Sequence, residues 1–281
     1  MELHKTYFIT ILLFIFNFKQ ALSRYHLFYT ACDNTVGNYT GDSTYKSNLN
    51  TLFAKLENQA SKAFFNNHTV GRDGVDEVTG LYLCRGDLDD EQCHNCVETA
   101  TSTIAENCPV QKEAIVWYEE CMVRYANQTI TNRRELGPFS YWCSSTNSSD
   151  PEKFGKIVGE TAIGLIDQAA YNTSRKGYAT GEAYVSLFET AYIMAQCTPD
   201  ILGSRCEGCL RVALSRMAGF FGTANVALSM YLPSCMLRYE DAPFLIGYVA
   251  SEAEAEAEPP AFLSPVPQPP TEAIVLVNLV I

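Results

Sequence analysis

Three cysteines in the pattern C-x8-C-x2-C, at Cys84, Cys93 and Cys96, return as Cys197, Cys206 and Cys209. Each triplet is followed by the pentapeptide Cys-Met-Val/Leu-Arg-Tyr, which starts at Cys121 and at Cys235, 25 and 26 residues beyond the third cysteine. Self-similarity with a matching downstream segment marks an internal duplication. The chain therefore holds two copies of one fold.

Its 281 residues are enough for two domains of about 100 residues each. An apolar content of 47% supports packed cores. With 32 acidic against 20 basic residues, the formal net charge is -12. That balance and the lack of any Lys/Arg-rich run argue against a nucleic-acid partner, which needs a basic face.

Eleven cysteines raise the question of compartment, and the first residues answer it. Tyr7 to Phe18 is an apolar run of 12 residues, broken only by Thr10 and Asn17, and Ala21-Leu22-Ser23 follows with small residues at both ends. The run is shorter than the ~20 residues a membrane span requires. Residues 1–23 read as a cleaved signal peptide, with the mature chain secreted into an oxidising compartment. Sequons at Asn38, Asn67, Asn127, Asn147 and Asn172 agree with that route and mark expected N-glycosylation positions.

Residues 24–44 read as an extended opening segment holding Cys32. Leu49, Leu52, Phe53, Leu56, Ala60 and Ala63 lie at helical spacing within a helix expected over Lys46 to Phe65, followed by a polar, turn-rich stretch from Gly71 to Gly80. Thr79 to Leu83 reads as a strand running into Cys84. Asp87 to Glu91 opens a second helix that carries Cys93, Cys96, Val97, Ala100 and Ile104 on one face and ends by Pro109. Ala114 to Tyr125 reads as strand.

The second copy begins after Pro138-Phe139-Ser140-Tyr141-Trp142. Ser149-Asp150-Pro151-Glu152 starts its first helix, with Phe154, Ile157, Val158, Thr161, Ile163, Leu165 and Ile166 as the apolar positions. Ala183 to Ala195 takes the place of the Thr79 to Leu83 strand, Cys206 to Met217 is helical in period, and Asn225 to Tyr239 holds the last strands. Each copy is an α+β unit, a helix pair on an antiparallel sheet. Four segments result: the leader 1–23, domains over 24–131 and 139–248, and an acidic, Pro-rich spacer with a short apolar tail over 249–281. The nine residues from Ala273 to Ile281 cannot span a bilayer. They are either a tail or the first part of a membrane segment belonging to a longer relative.

Two C-x2-C pairs invite a zinc reading, and Cys93-His94-Asn95-Cys96 a thiol-redox one. Zinc sites of that kind pair two close units, or one with two histidines, in a reducing compartment, and a redox motif sits in a βαβ setting. Neither context is present, so structural disulfides are favoured. Six cysteines still allow 15 pairings.

The two C-x8-C-x2-C units and the two Cys-Met-Val/Leu-Arg-Tyr strands resemble those of plant cysteine-rich repeat secretory proteins with two ginkbilobin-type (stress-antifungal) domains. These are related to the ectodomains of cysteine-rich receptor-like kinases. The resemblance covers roughly residues 25–248. It implies two tandem domains, each with two helices packed on a roughly five-stranded antiparallel sheet, stapled by disulfides. It further implies the pairs Cys32–Cys108, Cys84–Cys93, Cys96–Cys121, Cys197–Cys206 and Cys209–Cys235. Cys143 stands where the second copy's first cysteine belongs, but its expected partner near Phe220 to Gly222 is absent. Cys143 is then a free thiol or an intermolecular link, and the second domain is expected to be the less stable one.

A single-domain relative binds mannose through an Asn after the first Cys, an Arg six residues before the last and a Glu five after it. Those positions hold Asp33, Ile115 and Ala126 in the first copy and Ser144, Ser229 and Glu240 in the second, so only Glu240 matches. Ile and Ala cannot supply the missing hydrogen-bonding groups. Arg124 and Arg238 recur in both copies and read as structural or surface partners. His94 lies between two cysteines, His68 lies inside a sequon and reads as surface, and no phosphate loop, serine elbow or metal motif occurs. No cofactor is expected.

The function implied is that of a non-enzymatic extracellular binding protein in plant defence or stress signalling. Its partner would be a glycan or a protein receptor, with homo- or heterodimers, including through Cys143, also in view. The alternative is a truncated ectodomain of a receptor-like kinase, placed at the plasma membrane.

Overall fold

Strand residues in both copies alternate between two apolar faces, and that alternation organises the molecule. The computed structural model describes residues 25–72, 76–221 and 225–246. The expected leader (1–23) and the spacer and tail (249–281) lie outside the described residues.

The first repeat runs β1 (Leu27–Asn38), α1 (Thr44–Ala60), β2 (Phe65–Val70), β3 (Val78–Cys84), α2 (Asp90–Asn107), β4 (Gln111–Tyr118) and β5 (Cys121–Ala126). The second runs β6 (Ser140–Cys143), α3 (Pro151–Tyr171), β7 (Tyr178–Ser186), β8 (Glu189–Cys197), α4 (Ser204–Phe221), β9 (Leu228–Leu232) and β10 (Cys235–Glu240). Each forms an antiparallel five-stranded sheet, in the orders β1-β4-β5-β3-β2 and β6-β9-β10-β8-β7. The two sheets have the same topology, as a duplication requires.

Local chemistry sets the helix starts. Ser43 caps α1 by accepting from the Lys46 N–H, and Asp89 and Gln92 form a reciprocal capping box at α2. Asp150 caps α3, with Pro151 in its first turn, where a missing N–H costs nothing. Tyr45, Leu49, Leu52, Phe53 and Leu56 of α1 and Cys96, Val97, Ala100 and Ile104 of α2 are buried against one face of the first sheet. In the second repeat Phe154, Val158, Ala162, Leu165 and Ile166 of α3 play that part, while Ile163 faces outward, 40% exposed.

Five disulfides pin helices to strands. Cys84–Cys93 ties the end of β3 to α2, and Cys96–Cys121 ties α2 to β5. Cys197–Cys206 and Cys209–Cys235 do the same for β8, α4 and β10. Cys32–Cys108 joins β1 to the end of α2, across a sequence separation of 76. Cys143, on β6, is free and half-buried.

The second face of each sheet packs on that of the other. Along β4, Ala114, Val116 and Tyr118 face the helices, while Ile115 and Trp117 enter a separate cluster with Leu81, Leu83 and Met122 and with Met194, Tyr231 and Met236 of the second repeat. The layers run helices, sheet, sheet, helices. The Phe28 and Tyr231 rings meet at 4.3 Å between centroids. Gln196 Nε2 donates to the Cys84 carbonyl at 2.9 Å in this seam. The connecting segment is strapped down: the Asn132 N–H donates to Asp200 at 2.6 Å, and the Glu135 N–H donates to Ser234 Oγ at 2.9 Å. Asn132 sits at φ 57°, a left-handed conformation that Asn tolerates better than most residues.

Several element boundaries differ from the sequence expectation. The stretch Ala114 to Tyr125 is a hairpin, turning at Glu119 and Glu120, and Ala183 to Ala195 lies within another, turning at Leu187 and Phe188. Neither turn carries Gly, Pro, Asn or Asp, the usual turn residues. The first helix stops at Ala60, and Phe65 belongs to β2, where Asn66, Asn67 and His68 hide the strand pattern. No helix among the described residues is long and apolar enough to cross a membrane.

Candidate binding clefts at the sheet edges

Register places the two recurrent arginines. Arg124 on β5 lies directly opposite Ile115 on β4, and Arg238 on β10 directly opposite Ser229 on β9. Directly opposed residues share a sheet face. Each arginine therefore projects beside the position six residues before its repeat's last cysteine.

In the first repeat a cavity of about 370 Å³ lies here, lined by Asp33, Asn34, Glu113, Ile115, Arg124 and Pro138 among others. Arg124 is buried, and its Nη2 donates to Glu113 at 3.2 Å and to Glu135. The Asp33 carboxylate accepts from the Thr35 hydroxyl at 2.7 Å and the Thr35 N–H at 2.6 Å, which holds its pKa below the usual range. Its cation is shared by two carboxylates and its floor is Ile115. Ala126 is buried in the seam.

The second repeat's cleft is wetter and larger, about 560 Å³. Tyr141 and Trp142, each 47% exposed, supply one wall. Trp142 pairs with Ser229, and Ser229 with Arg238, so the three form a row across β6, β9 and β10. Glu240 lines the same cleft and accepts from Arg238 Nε at 2.7 Å, while Glu119 of the first repeat accepts from Arg238 Nη2 at 3.3 Å. The guanidinium stacks on Phe244 at 4.3 Å from the ring centroid. Its Nη1 is buried and has no hydrogen-bond partner among the described residues. A buried unpaired donor costs about 1–3 kcal/mol.

Of the residues singled out in the sequence, Glu240 and Ser229 are thus brought together with Arg238, whereas Ser144 lies outside this lining and its Oγ donates to the Thr146 carbonyl at 3.1 Å. Both arginines are buried ion-pair partners rather than surface ones. Trp142 and Tyr141 were not singled out as site residues; the aromatic run Phe139-Ser140-Tyr141-Trp142 was their only signal.

On the β2/β7 side of the seam a third cleft, about 620 Å³, holds Lys62, Lys176, Phe64, Phe65, Leu88 and Tyr178. His68 is half-buried beside α1; its Nε2 is buried with no hydrogen-bond partner among the described residues, and burial first, then Lys55, holds its pKa down. His94 Nδ1 meets the Glu57 carbonyl at 2.9 Å. Among the sequon residues Asn38, Asn127, Asn147 and Asn172 are exposed, and Asn67 is half-buried on β2. No group of three or more His, Cys, Asp or Glu side chains among the described residues could hold a metal ion.

Two disulfide-pinned α+β repeats, packed sheet to sheet, define a tandem two-domain module. The salt stress response/antifungal family matches residues 31–128 and 142–242, and the chain belongs to that family. It is 34% identical to cysteine-rich repeat secretory protein 9 of Arabidopsis thaliana over 84% of this chain and 75% of that protein. It is 35% identical to cysteine-rich receptor-like protein kinase 25 of the same plant over 83% of this chain, but spans only 34% of that kinase. Among solved structures, the tandem DUF26 ectodomain of the Arabidopsis thaliana cysteine-rich receptor-like protein PDLP8 matches with a TM-score of 0.68 at 27% identity, covering 78% of this chain and 99% of that one.

Proposed function

We propose that the chain is a non-enzymatic extracellular binding protein in plant defence or stress signalling, with a glycan seated in the second repeat's cleft. The observation that carries this reading is the row Trp142, Ser229, Arg238, with Glu240 beside it and one guanidinium nitrogen left unpartnered. An exposed indole offers a flat apolar surface to a sugar ring, and the arginine, carboxylate and hydroxyl supply donors and acceptors for its hydroxyls. The first repeat's cavity has an arginine and carboxylates but no aromatic wall. Since Asn and Arg of the mannose triad are replaced by Ser144 and Ser229, the preferred sugar differs from mannose. The exposed sequons carry the protein's own N-glycans in this reading.

A glycan array probed with the mature chain tests it, followed by Trp142→Ala, a surface change that spares the core. Binding weakened at least about tenfold by the substitution, with the melting temperature unchanged, supports the cleft. No glycan above background for the unaltered chain sinks it.

Identity to a receptor-like kinase over 83% of this chain favours a second reading, in which the same module is the outer part of a receptor. Transcript sequence beyond Ile281 decides: an open frame with an apolar segment of ~20 residues supports it, an in-frame stop removes it.

A further inference from the structure

The two sheets expose four edge strands, β1, β2, β6 and β7. An open edge is a template for pairing with another chain, and soluble proteins usually blunt it. Three of the four are blunted. β6 has four residues, β2 carries the Asn67 sequon among its six, and β1 is interrupted by two register shifts. β7 is different. It runs nine residues and pairs in unbroken register with β8 over the seven residues from Tyr178 to Tyr184, with a single shift before Ser186, no Pro, Lys or Arg, and Glu182 as its one charge.

β7 also leads into the most exposed apolar residues of the described molecule. Leu187 and Phe188, at the tip of the β7–β8 hairpin, are 95% and 96% exposed, and Tyr184 is 62% exposed. Two-residue hairpin loops favour Asn-Gly or Gly because of their positive φ angles. Neither Leu187 nor Phe188 has a positive φ, so turn geometry does not call for Leu-Phe here. Glu182 and Glu189 flank this tip, while the opposite end of β7 lies in the third cleft, beside Lys176, Lys62 and Tyr178. The edge is acidic and apolar at one end; at the other it meets Lys62 and Lys176, together with Asp90 and the rings of Phe64, Phe65 and Tyr178.

We propose that β7 is a self-recognition edge: two copies of this chain pair β7 to β7, antiparallel about a two-fold axis. Centred on Ala183, the pairing sets Tyr184 opposite Glu182 and Ser186 opposite Thr180 of the second copy, so the Leu187–Phe188 turn and Glu189, which pairs with Ser186 across the hairpin, lie toward the Tyr178 and Lys176 end of the second copy. Each acidic tip meets a basic end, twice, which makes the contact closed and self-complementary. A lipid surface is the weaker occupant, because the carboxylates at the tip and the net charge of -12 oppose an anionic membrane. The pairing is independent of the glycan reading.

Sedimentation velocity on the mature chain, from micromolar to millimolar and in a Cys143→Ser background, is the test. A concentration-dependent dimer is expected, with Tyr184→Lys and Leu187→Asp/Phe188→Asp each weakening it at least about tenfold. Both changes are at exposed positions, and unchanged melting temperatures confirm that the folds are intact. A monomer throughout, a dimer indifferent to these substitutions, or one that disappears with Cys143→Ser overturns the proposal. So does Phe188-dependent flotation with phosphatidylcholine vesicles, which would assign the tip to lipid.

Discussion

The ring of Tyr178 occupies the space a side chain on Gly86 would need: a Cβ there would meet Tyr178 Cγ at 2.5 Å and Cδ2 at 2.6 Å. This contact joins the first repeat's β3–α2 turn to the first residue of β7, and it admits no added methyl group without moving the ring. Gly86→Ala is expected to cost about 1–3 kcal/mol, the usual penalty of overpacking. The measurement is urea unfolding, with small-angle scattering to follow the separation of the repeats. An unchanged midpoint would show that the ring yields freely.

Gln196 is fully buried; its Nε2 serves the Cys84 carbonyl, and its Oε1 has no partner among the described residues. Gln196→Leu removes one hydrogen bond together with one orphan acceptor, so the net loss should be modest, about 1 kcal/mol. Gln196→Glu places an ionisable group in the same buried position and should cost more at neutral pH than at acid pH. Chemical denaturation of the pair at both pH values ranks them.

Glu120, half-buried at the β4–β5 turn, has a pKa raised chiefly by burial, partly offset by Arg85. A carboxyl raised in the folded state binds its proton more tightly there than in the unfolded chain. Its contribution is therefore full at low pH, begins to fall near pH ~4 as the unfolded chain ionises, and is lost once the pH passes the folded value. Glu120→Gln should match the parent protein at acid pH and exceed it in stability at neutral pH. Thermal melts across that range check the sign, and a gain confined to acid pH contradicts it.

The Cys32–Cys108 bridge, across a separation of 76 residues, has no counterpart in the second repeat, where Cys143 is free. Chain entropy values such a loop closure at about 4 kcal/mol. Hydrogen exchange should protect β1 and the end of α2 better than β6 and the end of α4. Cys32→Ala/Cys108→Ala should erase that difference. Equal protection in the unaltered protein would show that the bridge adds nothing the seam does not already supply.

The repeat, the helix faces and the starts of α2 and α3 are legible because each leaves a local signature: a cysteine spacing, a 3.6-residue period, or a capping residue. Hairpins were harder to read. With both faces of β4 and β5 buried, the stretch from Ala114 to Tyr125 is apolar almost throughout, and the Glu119-Glu120 turn carries no breaker residue. The second-repeat cleft was invisible for another reason. Trp142, Ser229 and Arg238 become neighbours only through register across three strands, so fixed offsets from a cysteine reach Ser229 and Glu240, while Arg238, visible only as a recurrent residue, reads as a structural or surface partner. A sequence records distance along the chain, while this site depends on distance across it.

Packing the repeats sheet against sheet also fixes the smallest portion of the gene that can be handled alone. A product ending after β5 would bare Ile115, Trp117 and Met122 to water, and one starting at β6 would bare Met194, Tyr231 and Met236. Either half would clump unless that face were resurfaced. Exon shuffling or domain grafting with this module must therefore move both repeats together.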